Sequence, residues 1–124
     1  MDNYIKLGDL TVYKTSILIS QKAWPIYTKM DWHTKKIIGD QFITAIDSIG
    51  ANVAEGYGRF HYLDRIKFYY NSRGSLIEAK HWLYLMKVRE IISAAQFDDL
   101  LGDLNNFHHQ LNSFIKSSYP KDRK

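Results

Sequence analysis

Apolar residues recur at steps of three and four along nearly the whole chain, which predicts helices, and no segment alternates as a strand would. Leu10, Tyr13, Ile17, Trp24 and Tyr27 keep this rhythm, with Ser20 filling one core-facing step. They predict a first helix from about Thr11 to Met30, with Asp9 as its N-cap. Pro25 lies inside that span, where it lacks the N–H that would bond to Gln21 and crowds that carbonyl. A kinked single helix is the favoured reading, two shorter helices the alternative.

Ile38, Phe42, Ala45, Ile46, Ile49 and Val53 form a second stripe, and Asn52 and Gly56 extend the same face. Asp31 or Thr34 caps its start, and Gly56-Tyr57-Gly58 stops it through the left-handed conformation glycine tolerates. The third helix, Tyr62 to Val88, aligns Leu63, Ile66, Tyr70, Ile77 and Tyr84, with Tyr69, Leu76 and Leu83 on an adjoining line. Phe68, Trp82 and Met86 widen that apolar face, so this helix makes contacts on more than one side. In the fourth, Ser93 and Gln96 have the form of a capping box. Phe97, Leu100, Leu104, Phe107, Leu111 and Phe114 then build a narrow seam, with Leu101 and Ile115 broadening it, before Tyr119-Pro120 ends the helix. The fold class predicted is all-α, an antiparallel up-down-up-down four-helix bundle forming one domain over residues 1–124, with a frayed tail from Lys121 to Lys124.

Composition narrows the chemistry. The 124 residues include no Cys, which removes disulfides, thiolate metal sites and cysteine nucleophiles. No apolar run approaches the roughly 20 residues a membrane span needs. Asp2 and Asn3 open the chain where a secretory signal wants basic residues, so a cytoplasmic protein is expected. Net charge is +4, unevenly placed. Arg59, Arg65, Lys67, Arg73, Lys80, Lys87 and Arg89 face only Asp64 and Glu78 in the middle of the chain. Glu90, Asp98, Asp99 and Asp103 then follow with no Lys or Arg up to Ile115. Such asymmetry suits a basic face for a polyanion and an acidic face for another partner, or two faces that attract between subunits.

Two ordered blocks carry a family resemblance. Ser48-Ile49-Gly50-Ala51-Asn52-Val53-Ala54-Glu55-Gly56-Tyr57-Gly58-Arg59 resembles the S-I-x-x-N-I-A-E-G-x-G-R signature of the bacterial proteins encoded in 23S rRNA intervening sequences, formerly labelled ribosomal proteins. Phe68-Tyr69-Tyr70-Asn71-Ser72-Arg73-Gly74-Ser75-Leu76-Ile77-Glu78 is similar to that family's F-L-x-x-A-R-G-S-L-x-E, and Asp9-Leu10-Thr11-Val12-Tyr13 to its opening. The resemblance implies a four-helix bundle associating as a ring-shaped homopentamer, with no enzymatic activity. It also implies kinship with accessory variability proteins of diversity-generating retroelements, which bind a reverse transcriptase and nucleic acid. Ile43-Thr44 stand where the family usually carries an Arg-Arg pair, which shifts any nucleic-acid role here to the third helix.

The signature also reads physically. Gly74 within a helix costs about 1 kcal/mol against Ala, so a close backbone approach is expected there. A Glu55–Arg73 pair at the crossing of helices two and three would be bidentate and orienting. Asn52, Glu55, Arg59 and Arg73 then either tie this hairpin together or touch a ligand directly, and Asn52, Glu55, Gly56, Gly58 and Gly74 form the structural motif.

Catalysis and metal binding find little. Only Glu78-Ala79-Lys80-His81 has the Glu-x-x-His form, without a second copy, and His108-His109 are adjacent and so diverge. Gly56-Tyr57-Gly58 lacks the strand and longer glycine pattern of a dinucleotide fingerprint. The expected protein is a non-enzyme without metal or cofactor. Arg73, Lys80 and Lys87 lie seven apart on one helical line, with Arg59 and Arg65 near its start, and are the candidate nucleic-acid contacts, RNA above all. Tyr57, Phe60 and Tyr62 are candidates to stack on bases, or to serve core and subunit interfaces. A docking platform for a protein such as a reverse transcriptase is the alternative function.

Overall fold

The computed structural model describes residues 5–120, so the readings on Asp2, Asn3 and the Lys121–Lys124 tail fall outside the described residues. The long helices are α1 (Thr11–Thr28), α2 (Asp40–Tyr57), α3 (Tyr62–Val88) and α4 (Ala94–Ser117). Short connections make successive helices antiparallel. Both α1 and α3 pack against α2 and α4, which sets α1 and α3 diagonally opposite. Among the described residues there is no strand, and the all-α bundle expected from the apolar rhythm is the observed fold.

The buried line of α1 is Val12, Ser16, Ile19 and Ala23, not the Tyr13–Ile17–Trp24 line that the sequence favours. Trp24 is 54% exposed, and Ile17 is exposed as well. Small groups win because α1 and α2 approach closely: Ser16 Oγ lies 2.7 Å from where a Cβ on Gly50 would stand. The Ser16 hydroxyl is satisfied by donating to the Tyr13 carbonyl at 2.6 Å. Ser20 stands at the edge of this seam, where its hydroxyl donates to Asp47 of α2 rather than filling the core. Asp9 belongs to a 3-10 turn, Leu7–Asp9, and the extended Leu10 takes the N-cap position of α1 without a side-chain bond. The helix passes through Pro25 as one element, ending at Thr28.

A single turn, Trp32–Thr34, and a π-helical stretch, Lys35–Gly39, lead into α2. Asp31 is the cap, its carboxylate accepting from the Thr34 N–H at 2.7 Å. The Tyr27 hydroxyl donates to Asp40 at 2.6 Å and joins the end of α1 to the start of α2. Gly56 does not end α2 through a left-handed conformation, since no glycine among the described residues has positive φ. It lies inside the helix, where a Cβ would stand 2.7 Å from Tyr69 Cε1 and 2.9 Å from the Arg65 carbonyl oxygen. Glycine lets the α3 backbone cross there. Gly58 is the C-cap, with φ −80°.

In α3 the buried residues are Ile66, Tyr69, Ser72, Leu76, Ala79, Leu83 and Met86. Ser72 is wholly buried and donates to the Ile49 carbonyl of α2 at 2.8 Å, a polar tie inside the hairpin. The helix ends in a Schellman arrangement: Glu90 takes φ 59°, and the Ile91 N–H reaches the Met86 carbonyl at 2.8 Å. The predicted capping box begins α4, with Ser93 and Gln96 bonded reciprocally at 2.9 and 3.1 Å.

Candidate nucleic-acid interface

Seven residues advance a helix by about 10 Å, so Arg73, Lys80 and Lys87 stand at regular intervals along α3. All three lean toward α4. Arg73 Nη1 donates to Asn112 Oδ1 at 2.8 Å while its guanidinium lies over the Tyr70 ring, 4.7 Å from the centroid. Lys80 Nζ lies 3.2 Å from His108 Nδ1, donating to an unprotonated ring nitrogen. Lys87 Nζ sits 4.3 Å from the centre of the Phe97 ring. Each cation is thus held by a neutral partner, and among the described residues none of the three has an ion pair. The contrast is Lys22 on α1, bridged to Asp103 at 2.7 Å and Asp99 at 3.2 Å.

This arrangement perturbs titration. Burial lowers the Lys80 pKa. Burial lowers that of His108 as well, helped by the positive charges of Lys80 and Arg73 and by neighbouring His109. A base with a depressed folded pKa leaves the unfolded chain holding the extra proton as pH falls through 6.5, so native stability drops there. The melting temperature is expected to fall between pH 7 and pH 5 more steeply for the native chain than for His108→Gln. Parallel pH profiles for the two proteins would contradict this.

Arg59 and Arg65 do not join the line. Arg59 pairs with Glu55 at 2.8 Å, one turn away, and stacks over Phe68 at 4.7 Å. Arg65 Nε donates to the Arg59 carbonyl at 2.6 Å. Both brace the α2–α3 turn. The expected Glu55–Arg73 pair is absent because Arg73 turns to α4 instead, and the exposed Glu55–Arg59 pair is worth only a few tenths of a kcal/mol. Asn52 bonds back to the Ser48 carbonyl of its own helix at 2.9 Å. Among the described residues, no group lies within 4 Å of where a Cβ on Gly74 would stand, so the close approach expected at it occurs at Gly56.

Of the expected stacking residues, Phe60 is 87% exposed. Tyr62 meets Tyr119 edge-on at 6.1 Å, and the Tyr57 hydroxyl donates to the Ile5 carbonyl. An open cavity of about 650 Å³ continues the groove, lined by Tyr70, Arg73, Asn112, Lys116 and Tyr119 among others. Sequence reading missed the α4 side of this groove. His108 and Asn112 are four apart and share a face, a signal that was available, but only packing shows which α3 cations they meet. Glu78 accepts from Trp82 Nε1 at 3.1 Å. No three His, Asp or Glu residues gather as metal ligands among the described residues. No described helix is long and apolar enough to cross a membrane.

The family model of the 23S rRNA-intervening sequence protein matches residues 8–113. Among solved structures, a protein of unknown function from the S23 ribosomal protein family of Bacteroides thetaiotaomicron VPI-5482 is similar, with a TM-score of 0.77. The two are 21% identical, over 85% of this chain and 98% of that one, a likeness that bears on fold. None of the curated proteins compared with the chain matches it.

Proposed function

The chain belongs to the 23S rRNA-intervening sequence protein family, and from that premise we propose a non-enzymatic homo-oligomeric bundle, a ring-shaped pentamer, that binds RNA through its α3–α4 groove. The observation that carries the binding is the row of Arg73, Lys80 and Lys87, each turned to a neutral partner and left without a carboxylate. Cations so placed release counterions from a phosphate backbone without first breaking an ion pair. The Tyr119 ring at the end of the groove suits an unstacked base.

Assembly draws on uncovered apolar surface. On α3, Leu63, Tyr70, Ile77 and Tyr84 recur every seven residues and are all exposed, Ile77 by 51%. On the diagonally opposite α1, Ile17, Leu18 and Trp24 are exposed too. Two unlike patches on opposite sides of a subunit join head to tail, which closes into a ring when the rotation allows. Gly74 lies exposed between Tyr70 and Ile77, and a neighbouring subunit lying close against it gives a reason for its helix cost. A ring repeats the groove and adds avidity.

The alternative, a docking platform for a basic protein such as a retroelement reverse transcriptase, draws on the acidic stretch of α4. Lys22 already spans Asp99 and Asp103 there, which reduces the charge left for a partner.

The test is the affinity for single-stranded RNA across a salt series. Binding is expected to weaken steeply with salt. Lys80→Glu combined with Lys87→Glu is expected to reduce affinity by at least about tenfold and flatten the log–log salt slope by about two. Absent or salt-independent binding by the folded protein would overturn the proposal.

A further inference from the structure

We infer that Arg73, Lys80, His108 and Asn112 form a discrete phosphate site in the α3–α4 groove, and that filling it places a proton on His108. This rests on the RNA-binding reading and adds a ligand set and a proton linkage to it. The two rungs are adjacent: Arg73 with Asn112 at 2.8 Å, and Lys80 with His108 at 3.2 Å. On α4 the partners are one turn apart, about 6 Å along the axis, within reach of one phosphate and its neighbour. A guanidinium has five N–H donors and only one hydrogen bond from Arg73 occurs among the described residues, so donors remain for phosphate oxygens. Lys80 has two further N–H donors beyond the one given to His108.

The charged groups facing His108 explain the linkage. From α3 they are Lys80 and Arg73, and from α4 itself His109. On the side where α1 packs against α4, Lys22 is joined to Asp103 and Asp99. Among the described residues nothing negative faces the imidazole, so its protonated form is repelled in the free protein. An anion seated between the rungs reverses that field. Lys80 then turns its ammonium to the phosphate, and His108 Nδ1 takes a proton and donates to a phosphate oxygen as well. The ligand chemistry is a phosphate oxyanion, whether from an RNA backbone or free in solution.

Two measurements on the intact protein test this. In the first, a 20-nucleotide oligouridylate is titrated at fixed salt from pH 5.5 to pH 8 into the native protein, His108→Gln and His109→Gln. A rise of one unit in the His108 pKa on binding makes RNA bind tighter toward the acid end, up to a limit of about tenfold. His108→Gln is expected to lose this dependence, and His109→Gln to keep it. A native profile without pH dependence, or one that survives in His108→Gln, overturns the inference, while RNA binding at pH 8 leaves the proposed function standing. In the second, the His108 ring resonances are followed through a pH titration with and without inorganic pyrophosphate. An upward pKa shift supports the site even if RNA fails to bind at every pH, which would sink the functional reading alone. An unmoved pKa together with a pH-independent RNA affinity overturns the site, and an RNA response without a pyrophosphate response assigns it to the polymer backbone.

Discussion

Gly56→Ala is expected to lower the melting temperature by roughly 4–12 °C, the scale of a 1–3 kcal/mol overpacking cost in a domain of this size. The direction is not obvious from the helix alone, because Ala is intrinsically better than Gly in a helix interior by about 1 kcal/mol. Contact decides it. The added methyl would stand 2.9 Å from the Arg65 carbonyl and 2.9 Å from Phe68 Cβ, and neither the α3 backbone nor a Cβ yields as a flexible side-chain end would. The α2–α3 crossing must open, loosening the ring of Tyr69, which is 1% exposed and whose hydroxyl pKa burial pushes up to about 12. Gly102→Ala is the control: no described group lies within 4 Å of its methyl position, so it is expected to raise the melting temperature slightly. Thermal denaturation followed by circular dichroism checks both, and a Gly56→Ala protein as stable as the native one would contradict the packing account.

In the proposed ring, Ile77→Arg is expected to yield a 14.6 kDa monomer while leaving helical content unchanged. Half of the Ile77 side chain is already exposed in the single chain, so a monomer tolerates the charge. A subunit interface does not, since an unpaired charge desolvated between two apolar faces costs several kcal/mol. Sedimentation of the native and variant proteins at equal concentration measures the difference. Equal masses would move the interface away from the α3 row. Loss of helicity would mean that Ile77 serves the fold instead.

The bundle was legible because helical periodicity survives on every element, and the Ser93–Gln96 box and the α3 limits follow from local chemistry. Facing was less legible. On α1 the large residues Ile17 and Trp24 outweigh Ser16 and Ala23 in any hydrophobic count, yet the small ones are buried, because the approach to Gly50 is too close for a large ring. That constraint belongs to the partner helix and leaves no mark on α1. The same holds for the glycines. In sequence Gly56 reads as a helix stop and Gly74 as a close approach, and only the crossing of α3 over α2 tells which one meets a backbone. In the groove, the seven-residue line of cations was visible on α3, but Glu55 was the wrong partner for Arg73. Glu55 reaches Arg59 one turn away, and Asn112 offers Arg73 an acceptor from α4.

The most direct test of the whole account is the particle mass by light scattering at micromolar concentration, before and after adding single-stranded RNA. The account predicts close to five times 14.6 kDa for the protein alone, and a heavier complex once RNA is present. A particle of 14.6 kDa that RNA leaves unchanged would contradict it.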